Sequence, residues 1–444
     1  MAEQTSVKSQ KKRWFNLPLW QRNVRYGEVD VAFFLIVIAL LVIGIIMMFS
    51  ASYAWATAEG KSGSFYAYNQ IKNAVVGLVI MFALCTVDYH VFRKPAIAVF
   101  SYVFPVILLA IVAFVPALSV TEGGATRWLD IGGFNFQPSE LMKIGIVIFF
   151  AYFIEKNYDN MRSFRKGLLP LLLALAIVAA LLILEPHLSG TIIITLLCII
   201  LIFVGNANLK HFLFLGLAGI GAALVIGLLM MDSYEYIGKR IQSWRDPFSD
   251  SLNDTWQTCQ SLIAIGSGGL FGLGLGESRQ KYLYLPETKN DFVFSIVCEE
   301  LGFVGAVTVV LLFMLLVIRG YQIATHAPDK FGMLLAIGLT SHIGLQAFLN
   351  IAVVSNLFPN TGISLPFFSY GGTALILQLA EMGIVLNISR TRYHVGKKRQ
   401  RRESFRRQVQ CSSRRVSHES IIGRRRNRRP YQSGAGNRLH YQGT

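Results

Sequence analysis

Long apolar segments recur from one end of the chain to the other, and they constrain the fold more than any other feature. A helix that crosses a bilayer needs about 20 mostly apolar residues. Hydrophobic residues make up 53% of the 444-residue chain and charged residues 15%, a balance too apolar for a soluble protein of this length. Ten segments reach or approach the required length, at 31–52, 73–88, 95–118, 139–155, 168–184, 189–206, 211–231, 292–318, 331–354 and 371–388. The sequence predicts an all-α polytopic membrane protein of about ten transmembrane helices, with nine or eleven as alternatives.

The basic residues of the short connecting segments indicate the orientation of these helices. Lys and Arg in short loops are retained on the cytoplasmic side during insertion. If the N-terminus is inside, every connection on that side is basic, through Arg93, Lys94, Lys156, Arg162, Arg165, Lys166, Lys210, Arg319 and Lys330. We therefore expect both termini in the cytoplasm and a large extracytoplasmic loop, residues 232–291, between the seventh and eighth helices.

Basic charge is concentrated at the two ends of the chain. Residues 1–27 carry 6 basic and 1 acidic side chains, and residues 390–444 carry 17 basic and 2 acidic ones. Residues 28–389 therefore have a net charge of −3, although the whole chain has +17. An Arg-rich tail is typical of a disordered segment near anionic headgroups, or of a docking segment for a cytoplasmic partner. The sequence thus predicts a basic N-terminal segment, a transmembrane domain and a disordered cytoplasmic tail, and no nucleic-acid binding.

Polar, aromatic, Gly and Pro residues gather in three segments on the predicted outer side. These segments are residues 119–138, 232–291 and 355–372. Irregular backbone at membrane depth is tolerated only where it lines a cavity. We therefore expect the functional site at the outer face.

The first outer segment and the start of the helix that follows it contain four candidate residues, Arg127, Trp128, Glu140 and Lys143. Pro138 and Glu140 fit the start of the fourth helix, with Lys143 one turn further on. Lys143 either pairs with Glu140 at i,i+3 or forms an anion site with Arg127. Trp128 is either an ordinary interfacial aromatic or a contact for carbohydrate or lipid.

The second outer segment contains Arg240, a glycine cluster at 266–276 and Asp291. The cluster resembles a nucleotide-binding loop only weakly because no strand precedes it, so a re-entrant helix is the better interpretation. Asp291, just before the eighth helix, is either its N-terminal cap or a general base whose pKa is raised by burial. Glu299 and Glu300 lie deeper in that helix, where they need partners, in a structural hydrogen-bonding or a conformational coupling role.

The third outer segment, SNLFPNTGISLPFFSYGG, contains Ser369 and ends with two glycines, Gly371 and Gly372. Its Pro and Gly content predicts a broken or re-entrant helix entry. Close helix packing through small residues is the alternative at any single position.

These three segments together resemble the SEDS family, the bacterial proteins of shape, elongation, division and sporulation. The matching pieces are GATRW with FQPSELMK, QSLIAIGSGGLFGLGLGESRQKYLYLPE with DFVFSIVCEELG, and FPNTGISLPFFSYGG, spread over residues 120–375. The resemblance implies ten helices with both ends inside. It also implies a peptidoglycan glycosyltransferase that polymerises lipid II, a disaccharide-pentapeptide on undecaprenyl pyrophosphate, into glycan strands.

The resemblance also implies roles for individual residues. The family's essential carboxylate falls on Asp291, which would take the proton of the attacking sugar hydroxyl. Arg127, Lys143 and Arg240 become candidates for stabilising the departing diphosphate, with or without a divalent cation such as Mg²⁺ or Mn²⁺. Trp128 and Ser369 complete the expected substrate contacts.

The resemblance implies partners and a cellular role as well. The SRQKYLYLPE stretch is more similar to division-type FtsW proteins than to elongation-type RodA proteins, and a sporulation paralogue is an alternative. We expect action at the division septum with a class B penicillin-binding protein and other divisome proteins. The partner would dock along the eighth and ninth helices and the outer loop before Asp291. Small residues of the ninth helix either form a lipid-side surface that lets another helix approach closely or pack inside the bundle: Gly332, Gly338, Ser341 and Gly344.

Two positions depart from the family pattern. Asn290 stands where many relatives have Thr or Ser, and His187 stands where many have the Asp of a Pro-Asp-Leu-Gly motif. A role of that Asp does not transfer to His187.

Two other functions compete with polymerisation. A flippase for lipid II would share the many-helix architecture, but it needs polar groups along its whole transit path, and most helices here have apolar centres. A scaffold that recruits a transpeptidase would tolerate the loss of Asp291.

Overall fold

The computed structural model describes residues 27–115, 119–122, 125–130, 135–208, 210–211, 243–249 and 255–390. Nine of the ten predicted spans lie in these ranges, apart from residues 116–118 at the end of the third, and each contains a helix. The predicted seventh span, Arg240 and most of both tails lie outside the described residues. In chain order, the helices are α1 Val31–Ala58, α2 Phe65–Thr86, α3 Pro95–Phe114, α4 Pro138–Lys156, α5 Leu169–Leu184, α6 Leu188–Val204, α7 Trp256–Ser267, α8 Val293–Thr325, α9 Lys330–Val354 and α10 Gly372–Arg390.

Length and composition agree with a polytopic membrane protein. Within the described ranges, 7 helices are long and apolar enough to cross a membrane, with α5 counted from its preceding π-helical turn at Phe164. Helix α6 is apolar but shorter, at 17 residues. The polytopic helical fold class is therefore confirmed, and the total of ten spans stays a prediction.

Helix α9 lies at the centre of the bundle, packed against α4, α6 and α8. Its small residues face these neighbours. A Cβ on Gly338 would lie 2.4 Å from Cγ1 of Val147 on α4, and one on Gly344 would lie 2.6 Å from Cγ2 of Val317 on α8. A Cβ on Gly332 would lie 2.9 Å from Oδ1 of Asp329, and Ser341 is buried. The expected small-residue surface toward lipid is therefore wrong, because the central position of α9 turns these residues into the bundle.

Helix α8 instead carries an apolar surface that no described helix covers. Its exposed side chains recur every three or four residues: Phe303, Val307, Val310, Met314 and Ile318. This spacing is one face of a helix. Exposed apolar side chains in a row fit a surface in contact with lipid or another transmembrane helix.

A small antiparallel sheet, which the sequence pattern did not predict, precedes α4. Its strands are β1 Ser119–Glu122, β2 Ala125–Asp130 and β3 Asn135–Phe136, in the order β1-β2-β3. Trp128 of β2 pairs with Val120 of β1. The sheet holds Arg127 and Trp128 near the first turn of α4, since β2 packs against that helix.

Helix α8 is broken at Gly302, where φ is 66° and ψ is −166°. The loop after α7 contacts the open backbone at this break: Gly274 N–H donates to Glu300 O at 3.1 Å, and Phe303 N–H donates to Gly269 O at 2.9 Å. A Cβ on Gly272 would lie 2.1 Å from Glu300 O. The glycine cluster therefore lets a loop lie directly on the main chain of α8, as a re-entrant segment would.

Candidate functional site

Asp291 lies two residues before the first residue of α8, but it does not cap that helix. The N-cap position is Phe292, and no side chain caps the first turn. The cap interpretation of Asp291 is therefore wrong. Its carboxylate is partly buried, and Oδ2 lies 3.2 Å from where a Cβ on Gly362 would be. Burial and the nearby charge of Glu287 raise the pKa of Asp291 to about 6, although Arg127 opposes the shift.

The segment just before α8 is fixed at four successive residues, at the first through its side chain and at the other three through the main chain. Thr288 Oγ1 donates to Ala51 O of α1 at 3.0 Å. The carbonyl oxygens of residues 289, 290 and 291 accept, in turn, from Tyr370 N–H at 2.8 Å, Ser369 Oγ at 2.5 Å and Asn350 Nδ2 at 2.7 Å. The position of Asp291 is thus set by α1, α9 and the segment before α10.

The hydroxyl of Ser369 is part of this anchoring. Besides donating to Asn290 O, it accepts from Leu365 N–H at 2.7 Å, and Gln70 Nε2 of α2 donates to Ser369 O at 3.0 Å. The side chain is buried. Ser369 therefore anchors the main chain next to Asp291. Its expected contact with substrate stays a prediction.

Lys289 is anchored through its side chain as well, a feature that sequence analysis missed. Its ammonium group lies 3.1 Å from Glu59 Oε1 and 2.9 Å from Tyr66 Oη. It also lies 4.2 Å from the ring centroid of Tyr66 and 5.3 Å from that of Trp55. The corner between α1 and α2 thus holds the residue two positions before Asp291.

Arg127 lies on β2, with its guanidinium facing the turn between α5 and α6. Nη2 donates to Pro186 O at 2.5 Å. The charge of Arg127 lowers the pKa of both Asp291 and Glu185, against the larger opposing effect of their burial. Arg127 therefore bonds to this turn and acts electrostatically on the predicted base. Its neighbour Trp128 is partly buried.

Lys143 and Glu140 form the i,i+3 ion pair that was one of the two alternatives. Lys143 Nζ lies 2.8 Å from Glu140 Oε1, and both side chains are buried. Lys143 also donates to Gln346 Oε1 of α9 at 3.2 Å, and Gln346 Nε2 donates to Ser364 Oγ at 2.9 Å. The ammonium group of Lys143 is thus connected through Gln346 to Ser364 of the third outer segment.

One further buried ion pair and two buried ionisable residues that do not pair with each other lie in the same helices and turns, and no pattern in the sequence predicted them. On α9 and α10, His342 Nδ1 lies 2.9 Å from both carboxylate oxygens of Glu381. In the turn between α5 and α6, Glu185 and His187 are buried. Burial lowers the pKa of His187 to about 3, and the cations Arg127 and Lys143 act in the same direction. In the sequence, the only signal for these residues was that each is a polar residue inside or beside an apolar segment.

Glu299 and Glu300 bind the loop that leads to Asp291. Glu299 accepts from Ser278 Oγ at 2.5 Å and from Arg279 N–H at 3.0 Å. Glu300 accepts from Lys281 Nζ at 2.9 Å and from Ser50 Oγ of α1 at 2.6 Å. Both carboxylates are buried beside the break in α8. Glu299 and Glu300 thus join the loop before Asp291 to α8. This arrangement fits both a structural hydrogen-bonding role and a conformational coupling role.

The described part of the chain contains no group of three His, Cys, Asp or Glu side chains that could hold a metal ion. Mg²⁺ is usually bound by one or two carboxylates together with substrate phosphates and water. Asp291, with Glu287 nearby, fits that incomplete type of site. A substrate-dependent cation therefore stays a prediction.

Comparison with known proteins places this arrangement in a family. The model of the cell cycle protein family FTSW_RODA_SPOVE matches residues 31–394. The chain is 40% identical over 361 residues to the stage V sporulation protein E of Bacillus subtilis (strain 168), across 81% of this chain and 97% of the relative. It is 37% identical over 365 residues to a probable peptidoglycan glycosyltransferase FtsW of Geobacter sp. (strain M18), across 82% of this chain and 98% of the relative.

Solved structures agree with this assignment. A chain from a peptidoglycan synthase complex that coordinates polymerization and crosslinking superposes with a TM-score of 0.67 at 28% identity, over 82% of this chain and 98% of that one. The rod shape determining protein RodA of Thermus thermophilus superposes with a TM-score of 0.58 at 28% identity, over the same shares. The chain therefore belongs to the family of FtsW, RodA and SpoVE proteins, which is the SEDS family.

Proposed function

We propose that this chain is a peptidoglycan glycosyltransferase that polymerises lipid II at the outer face of the cytoplasmic membrane, with Asp291 as the general base. The observation that carries the proposal is the placement of Asp291. Its carboxylate caps no helix, the main-chain carbonyls of residues 289–291 are held by three hydrogen bonds, and its pKa is raised to about 6. A base whose pKa lies near the working pH combines a useful ionised fraction with basicity.

The reaction forms one glycosidic bond and breaks one bond to a phosphate oxygen. A sugar hydroxyl of one lipid-linked substrate attacks the anomeric carbon of another, and the hydroxyl proton passes to the carboxylate of Asp291. The electron pair of the broken carbon–oxygen bond leaves with undecaprenyl diphosphate. The fixed main chain of residues 289–291 keeps the base in one position, which lowers the entropic cost of the transfer.

Arg127 and Lys143 are proposed to bind the diphosphate. Both cations act electrostatically on the turn between α5 and α6, and Arg127 also acts on Asp291. Positive groups beside a departing diphosphate stabilise the charge that develops on it. A divalent cation held by Asp291 and the phosphates would supply further charge stabilisation. Arg240, outside the described residues, is proposed as an additional contact.

We propose that both termini are cytoplasmic, as the basic loops predict, and that the chain acts at the division septum. The similarity to FtsW proteins supports the division role, and the similarity to stage V sporulation protein E supports a related role in spore formation. A class B penicillin-binding protein is the proposed partner. The exposed apolar face of α8 between Phe303 and Ile318 offers its transmembrane helix a surface.

The proposal is tested with purified protein, fluorescent lipid II and separation of the glycan products by size. Wild-type protein should yield polymer, and Asp291→Asn should lower the rate by about 10² to 10⁴ while the variant still binds lipid II. Asp159→Asn is the matched control and should retain the wild-type rate. It removes an exposed carboxylate just after the C-terminal end of α4, whereas Lys143 lies near the N-terminal end of that helix.

Each competing function predicts a different result in this experiment. A flippase would move lipid II across liposome membranes without forming polymer. A scaffold would form no polymer by itself, and Asp291→Asn would leave partner recruitment unchanged. Polymer formation by well-folded Asp291→Asn protein at the wild-type rate would exclude the catalytic assignment.

A further inference from the structure

Glu185 is a buried carboxyl group in the turn between α5 and α6. Its exposed fraction is 2%, and neither carboxylate oxygen has a hydrogen-bond partner among the described residues. An ionised carboxylate without hydrogen bonds is strongly disfavoured in such a place. Glu185 therefore carries a proton, and its O–H is a hydrogen-bond donor that has no acceptor among the described residues.

The surroundings of Glu185 are those of an anion site. Arg127 of β2 donates to the carbonyl of the next residue, Pro186, and its charge acts on the Glu185 carboxyl. His187, in the same turn, lies within the electrostatic reach of Lys143 and Glu140 of α4. The charged and titratable groups facing the turn are thus two cations and one carboxylate, and that carboxylate is already paired with Lys143.

We propose that Glu185 is a substrate-binding residue whose protonated carboxyl donates a hydrogen bond to the diphosphate of the lipid-linked substrate. This inference rests on the proposed function, because it names a further contact for the same substrate. A neutral acid suits this position, since an ionised one would repel the phosphates that Arg127 attracts. A carboxylic acid kept neutral by its apolar surroundings can serve as a hydrogen-bond donor in an enzyme site.

The proposal predicts a specific dependence of binding on pH. Burial raises the pKa of Glu185 to about 8, although Arg127 opposes the shift. The acid therefore keeps its proton at neutral pH and loses it as the pH rises through 8. Above that value, the substrate site gains a negative charge and loses a donor. The affinity for a diphosphate should fall on the alkaline side.

Glutamine distinguishes the proposal from a merely structural role for Glu185. The amide of Glu185→Gln has nearly the same shape, donates hydrogen bonds at every pH and never ionises. The probe is undecaprenyl diphosphate, which has the diphosphate but no sugar to transfer, so binding is measured without turnover. Affinity is measured between pH 6.5 and pH 9.5 for wild-type protein in lipid nanodiscs, for Glu185→Gln and for the control Asp159→Asn, which removes an exposed carboxylate just after the C-terminal end of α4.

We expect wild-type affinity to fall by about tenfold between pH 8 and pH 9.5, since each pH unit above a pKa removes about nine-tenths of the protonated form. Glu185→Gln should bind as wild-type protein does at pH 7 and should lose less than about twofold over the same interval. Asp159→Asn should follow the wild-type curve. If Glu185→Gln falls with pH as wild-type protein does, or binds poorly at pH 7, the inference is refuted.

A second variant keeps the inference testable if Glu185→Gln does not fold, which thermal unfolding would reveal. Glu185→Leu fills the same apolar space without a donor, and it should bind about tenfold more weakly at pH 7, with no further alkaline loss. Wild-type affinity in Glu185→Leu would refute the inference. The binding assay involves no reaction, so its failure is distinguishable from a failure of lipid II polymerisation or of the Asp291 assignment.

Discussion

The side-chain amide of Asn350 donates a 2.7 Å hydrogen bond to the carbonyl oxygen of Asp291, and a second one of 2.6 Å to Ile363 O. One residue of α9 thus joins the predicted base to the third outer segment. Asn350→Ala would leave both carbonyls without this donor, at a cost of about 1–3 kcal/mol for each one that stays buried.

We expect Asn350→Ala to lower kcat by at least about tenfold, because the base is no longer held in place. KM for lipid II should change little. Asn157→Ala is the control, since the Asn157 amide donates to Phe153 O at the other end of α4. Equal kcat values for Asn350→Ala and wild-type protein would show that Asn350 does not position Asp291.

The pKa of Asp291 predicts the acidic limb of the pH–rate profile. A general base acts in its ionised form, so kcat/KM should rise with pH and level off above about 6. Glu287 raises this pKa by like-charge repulsion, and Glu287→Gln should move the limb to lower pH by less than about one unit. A limb that stays in place, or moves to higher pH, would contradict this account of the site.

The buried ion pair between Lys281 and Glu300 predicts a stability change. Its atoms are 2.9 Å apart, and the exposed fractions of the two side chains are 3% and 0%. Lys281→Met would leave the Glu300 carboxylate buried without its cation, which commonly costs about 3–5 kcal/mol. Thermal unfolding in detergent should show the loss. The double variant Lys281→Met/Glu300→Gln should recover part of it, and no recovery would mean that the charge of Glu300 is not the cause.

The break in α8 predicts a contrast between two glycines. A Cβ on Gly302 would lie 2.2 Å from Gly272 N, and its φ of 66° disfavours any L side chain. Gly302→Ala should therefore displace the loop on α8, destabilising the fold and reducing polymerisation. A Cβ on Gly266 of α7 meets nothing within 4 Å. Gly266→Ala should leave stability unchanged or raise it by up to about 1 kcal/mol, and similar effects of the two substitutions on thermal unfolding would argue against the close approach.

The sequence predicted most helices because hydrophobic length is a local property. The errors at helix ends have a tertiary cause. The second span was predicted to begin at residue 73, yet α2 begins at Phe65, eight residues earlier. Its first two turns contain polar residues that are stable there because of distant partners; Gln70, for example, donates to Ser369 O. No property of residues 65–72 alone reveals that partner.

The candidate site was predictable only in part, because some of its signals are local and others depend on distant partners. Asp291 and Lys143 stood out because a charged residue beside or inside an apolar segment is unusual. Glu185 has the same signature, but its importance comes from Arg127, which lies 58 positions earlier in the chain and reaches the turn through a sheet that the sequence pattern did not predict. The partners of Lys289 likewise come from the corner between α1 and α2.

The anchoring of residues 289–291 through carbonyl oxygens has a consequence for how this segment can evolve. Every residue type has a main-chain carbonyl, so the bonds from Tyr370, Ser369 and Asn350 do not depend on which side chains precede Asp291. Position 290 can therefore accept different polar residues, Asn290 among them, without displacing the Asp291 carboxylate. Selection at this end of α8 should act on the donors and on Asp291 itself, while neighbouring positions diverge between lineages.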